Sequence, residues 1–365
     1  MTETGMWCAQ PEQIRSQILQ SRSAQQQEPL LVFLHIAKTA GTTVNFLLAK
    51  HFYRNQTFGA YDNLMDQSIR SGTGIYEPED VAQSIRNLVA EKNTPIGYVS
   101  GHMRFGIHRH LARDCRYFTF VRSPEDRIIS AYNYVRSMGW LPKDSTLAEF
   151  VEAGFLGNCD AMTRQLIEDP SVDTKSSPAL AKDVRALERS DFDAAVENLK
   201  NHFVLAAPTH QFDQALFVLG LYYNWPLDKL LYERENVTPT DLPEYDISEQ
   251  DRQTIRETNK YDAQLYDLCA HHFQTVLEAL PDSVQSIMAA YQENMTAHRS
   301  ALQDIDSRIG KTMAARPFEA VAQRLDIELR DRTSAFGGER PATGRLKLLR
   351  QIYQMASERL LRRRF

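Results

Sequence analysis

Three short stretches concentrate the residue types that hold anions and move protons. The first is Lys38-Thr39-Ala40-Gly41-Thr42-Thr43. It opens a run of helical spacing, and the first N–H groups of a helix, with its dipole, favour an anion. Gly41 would let backbone approach a ligand closely, Lys38 adds a full charge, and the threonine hydroxyls can donate. The plainer alternative is that Thr42 or Thr43 only caps the helix. The order is not that of a G-x-x-x-x-G-K-[ST] loop, because Lys38 precedes the single glycine, and no clear magnesium-binding carboxylate accompanies it. The second stretch runs from Gly101 to His110. His102 sits just past an apolar run, where a neutral imidazole could take a proton from a hydroxyl. It could equally be a hydrogen-bonded core histidine. A metal held by His102, His108 and His110 is a weaker option, since the H-x5-H-x-H spacing lacks a supporting carboxylate or cysteine motif. The third stretch supplies Arg122, whose planar fork suits bidentate phosphate contact, and Ser130, about two helical turns further on. A structural salt bridge is the alternative for Arg122. Arg127 and Arg136 are expected to be solvated charges on the helix face.

Chemistry needs these stretches in one place, and each follows a run that suits a buried strand. LLVFLHI (30–36) precedes the lysine loop, and VNFLLAKHF (44–52) resumes at helical spacing. An amphipathic helix around 78–92 leads to PIGYVSG (95–101). RYFTFVR (116–122) precedes EDRIISAYNYVRSM (125–138), a helix with Pro124 in its first turn, where a missing N–H costs little. Residues 145–275 read as mainly helical, with one more strand candidate at HFVLAAP (202–208). Strand, small-residue loop and helix in alternation predict an α/β fold: a doubly wound, P-loop-like parallel sheet flanked by helices, whose strand ends form a ligand crevice. The polar, Gln-rich segment 1–28 is a leading arm, 29–280 the main domain, and 281–365 a helical C-terminal extension.

Composition narrows the partners. Forty-two Lys and Arg against 47 Asp and Glu give a net charge of −5, which excludes a generally basic nucleic-acid binder. Any anion must be held by a local cluster of positive charge. Four scattered cysteines make neither a zinc-type pair nor a disulfide framework, and the N-terminus carries no apolar run of signal-peptide length. A cytoplasmic protein is expected. The tail 345–365 departs from the rest, with seven basic residues against one acid and Leu346, Leu349, Tyr353, Ala356 and Leu360 at helical steps. Such a helix could lie on an anionic membrane surface or pack on protein, as the body of this chain or a second subunit.

LHIAKTAGTT, SGHMRFGIHRHL and YFTFVRSPEDRIISAYNYV, in this order, resemble the core motifs of the Golgi-type carbohydrate O-sulfotransferases. The nearest branch is that of heparan sulfate 2-O-sulfotransferase and its bacterial relatives. The resemblance is sharp over about 30–140 and fainter over 155–272, through GNCDAMTRQL, FVLAAPTHQFDQALFVL and NKYDAQLY. It is absent beyond about 280. It implies that Lys38, Thr39, Ala40, Gly41, Thr42 and Thr43 hold the 5′-phosphosulfate of 3′-phosphoadenosine 5′-phosphosulfate, and that Arg122 and Ser130 hold its 3′-phosphate. His102 would be the catalytic base, with Lys38 stabilising the leaving phosphate and no metal required. Ala37 stands where the family usually has proline, and Ala207-Pro208-Thr209-His210 replaces a common Gly-Leu-Thr-Glu pattern. The expected function is transfer of a sulfuryl group to an acceptor hydroxyl, of a carbohydrate by the family's habit. A P-loop-type small-molecule kinase and a non-catalytic nucleotide-binding protein are the rival readings. Acceptor specificity is expected from loops 53–77 and 139–180.

Overall fold

The computed structural model describes residues 29–48, 52, 56–60, 75–137, 145–152, 159–169, 185–232 and 247–315. The arm 1–28 and the basic tail 345–365 lie outside the described residues. Five strands form one sheet: β1 (Leu30–Leu34), β2 (Thr57–Gly59), β3 (Tyr98–Gly101), β4 (Cys115–Val121) and β5 (Phe203–Pro208). The order is β2-β3-β1-β4-β5, with every neighbouring pair parallel. Every residue of β1 is buried, as a strand covered on both faces requires. The chain lays β2 and β3 on one side of β1 and β4 and β5 on the other. The crevice at the carboxyl end of β1 is therefore the point where the winding reverses. β3, β1 and β4 lie side by side, so the three polar stretches, each following one of these strands, emerge together.

Ten α-helices are formed among the described residues: α1 (Gly41–Leu48), α2 (Pro78–Lys92), α3 (Pro124–Ser137), α4 (Leu147–Glu152), α5 (Ala161–Gln165), α6 (Arg189–His202), α7 (Phe212–Tyr223), α8 (Glu249–Thr258), α9 (Lys260–Glu278) and α10 (Asp282–Ala315). Their ends carry ordinary signals. Pro78 opens α2 with Glu79 and Asp80 behind it, and left-handed Asn93 closes it. Capping boxes start α6 (Glu188 with Asp191) and α8 (Ser248 with Asp251). The edge strand β2 falls in the segment expected to be loop. Thr57–Gly59 is too short for a visible period-two pattern, and its pairing with β3 supplies what local sequence does not.

The chain divides into two compact units, Met1–Leu230 with Arg234–Gln292, and Leu231–Glu233 with Glu293–Phe365. The sheet and the site lie in the first. No helix among the described residues is long and apolar enough to cross a membrane.

Two carboxylates clasp the helical half of the first unit. Asp160, just before α5, accepts from the backbone N–H of Tyr261 and of Asp262, both at 2.8 Å, at the start of α9. Asp262 returns the favour, accepting from Met162 N at 3.1 Å, Thr163 N at 2.8 Å and the Thr163 hydroxyl at 2.9 Å. Each acid thus satisfies the open N–H groups of the other's helix, a use of helix ends that also gains from the dipole. Burial first, and the Asp262 charge second, push the Asp160 carboxyl up to about 7. Here the reading of Arg127 as a solvated charge is corrected. Its side chain is 0 % exposed, and its guanidinium lies 3.9 Å from Asp262. A buried charge survives where an opposite one meets it, and that partner is 135 residues further along the chain. Arg136 lies over the Tyr132 ring, 5.2 Å from its centroid.

Candidate active site

The lysine loop leaves β1 through two residues in the left-handed region, Lys38 at φ 68° and Ala40 at φ 65°. Left-handed backbone at non-glycine residues costs about 1–2 kcal/mol each and concentrates at functional sites. The fold holds the loop closed: the Thr39 hydroxyl, fully buried, donates to Ile36 O at 2.8 Å, and Thr119 on β4 donates to Leu34 O at 2.8 Å. Helix α1 begins at once, with Val44 N donating to Ala40 O at 3.2 Å. Ala40 therefore holds the cap position. Thr42 and Thr43 lie inside the first turn, which removes the reading of either as the cap.

Lys38 and Arg122 meet at this loop. The Arg122 Nη1 donates to Lys38 O at 3.4 Å, and Arg122 forms no ion pair among the described residues. Burial, and then the nearby Arg122 charge, lower the Lys38 ammonium to about 8. Its Nζ sits 4.1 Å from the centroid of the Tyr134 ring, on α3, a cation–π contact. Two half-buried cations side by side favour an anion between or beside them. Ser123 is the cap of α3, its hydroxyl accepting from Asp126 N at 3.2 Å and its carbonyl from Arg127 N at 2.9 Å. Ser130 is half-buried in the same helix, with no hydrogen bond to Arg122 or Lys38 among the described residues.

His102 follows β3 and is fixed at both ends. Its carbonyl accepts from Tyr76 N at 2.8 Å, and its Nδ1 lies 2.9 Å from His35 O. A carbonyl can only accept, so Nδ1 carries the hydrogen and Nε2 keeps a free lone pair. The ring stacks on that of His35, centroids 4.1 Å apart, and His35 stacks in turn on Phe33 at 5.3 Å. Burial lowers the pKa of His102. The bond to His35 O opposes this, and the Lys38 charge adds to it. His35 is lowered further, by burial, then His102, then Lys38. Both imidazoles are thus neutral at pH 7. A neutral histidine with its proton on Nδ1 and a lone pair on Nε2 is the form a general base needs.

The other two histidines of the middle stretch go elsewhere. His108 Nδ1 is 3.0 Å from the Tyr117 hydroxyl, and its ring lies 4.3 Å from that of His202. His110 is exposed. The H-x5-H-x-H spacing does not converge, and no cluster of three or more His, Cys, Asp or Glu among the described residues is arranged for a metal.

Two residues join the site that motif reading did not select. His35 stands at the end of β1 inside LHIAKTAGTT, and its position one step past a buried strand was a usable signal. Gln165 ends α5 and donates from Nε2 to His35 O at 3.0 Å and to Met103 O at 2.9 Å. It lies in GNCDAMTRQL, and nothing local to that stretch announces a contact with residues 35 and 103. Gly41 also gains a new reason. A Cβ there would lie 1.8 Å from His35 Nε2, so the glycine makes room for the imidazole.

Residues 23–146 match the model of the Sulfotransferase family. That span is roughly a third of the chain, and it contains β1, the lysine loop, His102, Arg122 and Ser130. The match supports sulfuryl transfer as the general chemistry of the site. No curated protein matches the sequence.

Proposed function

We propose that this protein is a sulfotransferase that moves a sulfuryl group from 3′-phosphoadenosine 5′-phosphosulfate to an acceptor hydroxyl. The observation that carries the reading is the hydrogen bond from His102 Nδ1 to His35 O, which leaves Nε2 as a neutral base close enough to the Lys38 charge to feel it. Pure nucleotide binding would need the cations and not the base.

The donor supplies an activated sulfur bonded to a phosphate that can leave. His102 Nε2 takes the hydroxyl proton as the acceptor oxygen bonds to sulfur. The bond from sulfur to the bridging phosphate oxygen breaks, and its electron pair leaves with the phosphate. Lys38 and the first N–H groups of α1 meet that charge, a preorganised electrostatic role. Arg122 and Ser130 hold the 3′-phosphate in this reading. Thr39 serves the loop from inside, with its hydroxyl already committed to Ile36 O. For the acceptor, a carbohydrate hydroxyl is proposed on the resemblance of the three motifs alone.

The test is direct. 3′-Phosphoadenosine 5′-phosphate should raise the melting temperature, since a ligand that binds only the folded state stabilises it. Mass spectrometry should find labelled sulfate on a hydroxylated component of extracts given labelled donor. His102→Ala should lower turnover by roughly 10²–10⁴-fold, the usual worth of a general base, with bisphosphate affinity nearly unchanged. Stabilisation by ATP and not by the bisphosphate would favour the kinase. Binding with no transfer to any acceptor would favour the non-catalytic reading.

A further inference from the structure

We infer that Gln165 is the positioning residue for the proposed base, holding His102 in the tautomer that leaves Nε2 free. The inference rests on the reading of His102 given above. His35 O receives two donors, Nδ1 of His102 at 2.9 Å and Nε2 of Gln165 at 3.0 Å. The same Nε2 gives its second hydrogen to Met103 O at 2.9 Å, on the residue after the base. Both N–H bonds of one carboxamide are thus spent on carbonyls bracketing His102, and the side chain is only 2 % exposed. The main chain of Gln165 adds a third link, its carbonyl accepting from Phe105 N at 2.9 Å.

The geometry selects the tautomer through the His35 carbonyl. Gln165 fixes the direction of that carbonyl, so the Nδ1–H of His102 has one acceptor at one angle. Its second N–H, spent on Met103 O, anchors the carboxamide to the residue that follows His102. The neutral imidazole has two forms of similar energy in water, and the hydrogen bond made by one ring nitrogen decides the state of the other. Only the form with Nδ1–H can accept at Nε2. The brace is rigid because Asp262 caps the helix that ends in Gln165, through Met162 N and Thr163 N. A side chain that never touches the reacting atoms would in this way govern their protonation.

The test reads the tautomer itself. Long-range proton–nitrogen correlation spectra of histidine-labelled protein, with His102 assigned against His102→Asn, should show the Nδ1–H form alone in the unaltered protein. Gln165→Leu should move a measurable fraction to the Nε2–H form. In the same variant kcat should fall by roughly 10- to 100-fold, the scale of a misplaced catalytic group, while the affinity for 3′-phosphoadenosine 5′-phosphate stays within about twofold, since no donor contact is altered. Met162→Ala, buried on the same helix, should lower the melting temperature without changing the tautomer. If Gln165→Leu does not fold, Gln165→Glu keeps the shape of the chain and sets an acceptor against the two carbonyls, with the same expected change. A folded variant of either kind whose His102 stays wholly in the Nδ1–H form overturns the inference. A protein that transfers no sulfuryl group but whose tautomer follows Gln165 overturns the proposed function and leaves the positioning role standing.

Discussion

Gly41→Ala separates two reasons for a glycine in the lysine loop. If the glycine is there for a ligand's close approach, alanine should spare the ligand-free fold and weaken nucleotide binding. The structure gives a different expectation. The new methyl carbon would fall 1.8 Å from His35 Nε2 and 2.1 Å from both Cδ2 and Cε1. The ring cannot step aside freely, being stacked on Phe33 at 5.3 Å and on His102 at 4.1 Å. Overpacking of this kind costs about 1–3 kcal/mol, whereas alanine's advantage over glycine in a helix is at most ~1 kcal/mol. The clash should win, and Gly41→Ala should destabilise the ligand-free protein by about 1–2 kcal/mol. His35→Ala removes the obstacle while keeping the His35 carbonyl that holds His102. The double variant should therefore recover most of the loss, a coupling of about 1–2 kcal/mol in a cycle read from urea midpoints. Additive losses in the double variant would refute the argument and return the glycine to the ligand.

Further outcomes follow from the charges. Lys38 loses its proton as pH rises through about 8, so bisphosphate affinity should fall across that pH; Arg122→Gln, which removes the neighbouring cation, should move the fall to higher pH in a calorimetric titration. Arg122→Ala should weaken 3′-phosphoadenosine 5′-phosphate by more than about tenfold, as a charged hydrogen bond is worth ~1.5–3 kcal/mol, and should affect an analogue without the 3′-phosphate far less. For the clasp, the folded pKa of Asp160 is raised to about 7, so its protonated form is favoured by folding below that pH and its ionisation opposes folding above it. Asp160→Asn keeps the Oδ1 acceptor and should match or exceed the unaltered protein in thermal stability above pH 7, the advantage fading as pH falls. Asp262→Asn, which sets an amide NH2 against an N–H group or the Arg127 guanidinium, should instead lose about 2–4 kcal/mol at every pH near neutrality.

What the sequence made legible was what short range controls. The apolar run before Lys38, the Pro124 helix start and the helix over 78–92 each carry their signal within a few residues, and all appear in place. The three motifs fell on neighbouring strand ends because parallel topology leaves few alternatives. What stayed hidden depends on partners far along the chain. Arg127 looks like a surface charge until Asp262 is set beside it. Gln165 is an ordinary amide until the ends of β1 and β3 come within reach. β2 has three residues, and its identity as a strand resides in β3.

The Asp160–Asp262 clasp also fixes when the site can exist during synthesis. The lysine loop, His102 and Arg122 are all made by residue 122, and the family match ends at residue 146. The helix that braces the His35 carbonyl gets its cap from the start of α9, about a hundred residues later. A nascent chain released early would hold every residue of the recognisable motifs and still lack the frame that holds His102 against His35 O. The smallest heritable unit of this candidate site is therefore longer than the segment by which it is recognised, and a gene fusion or truncation that kept only the motifs would pass on the parts without the assembly.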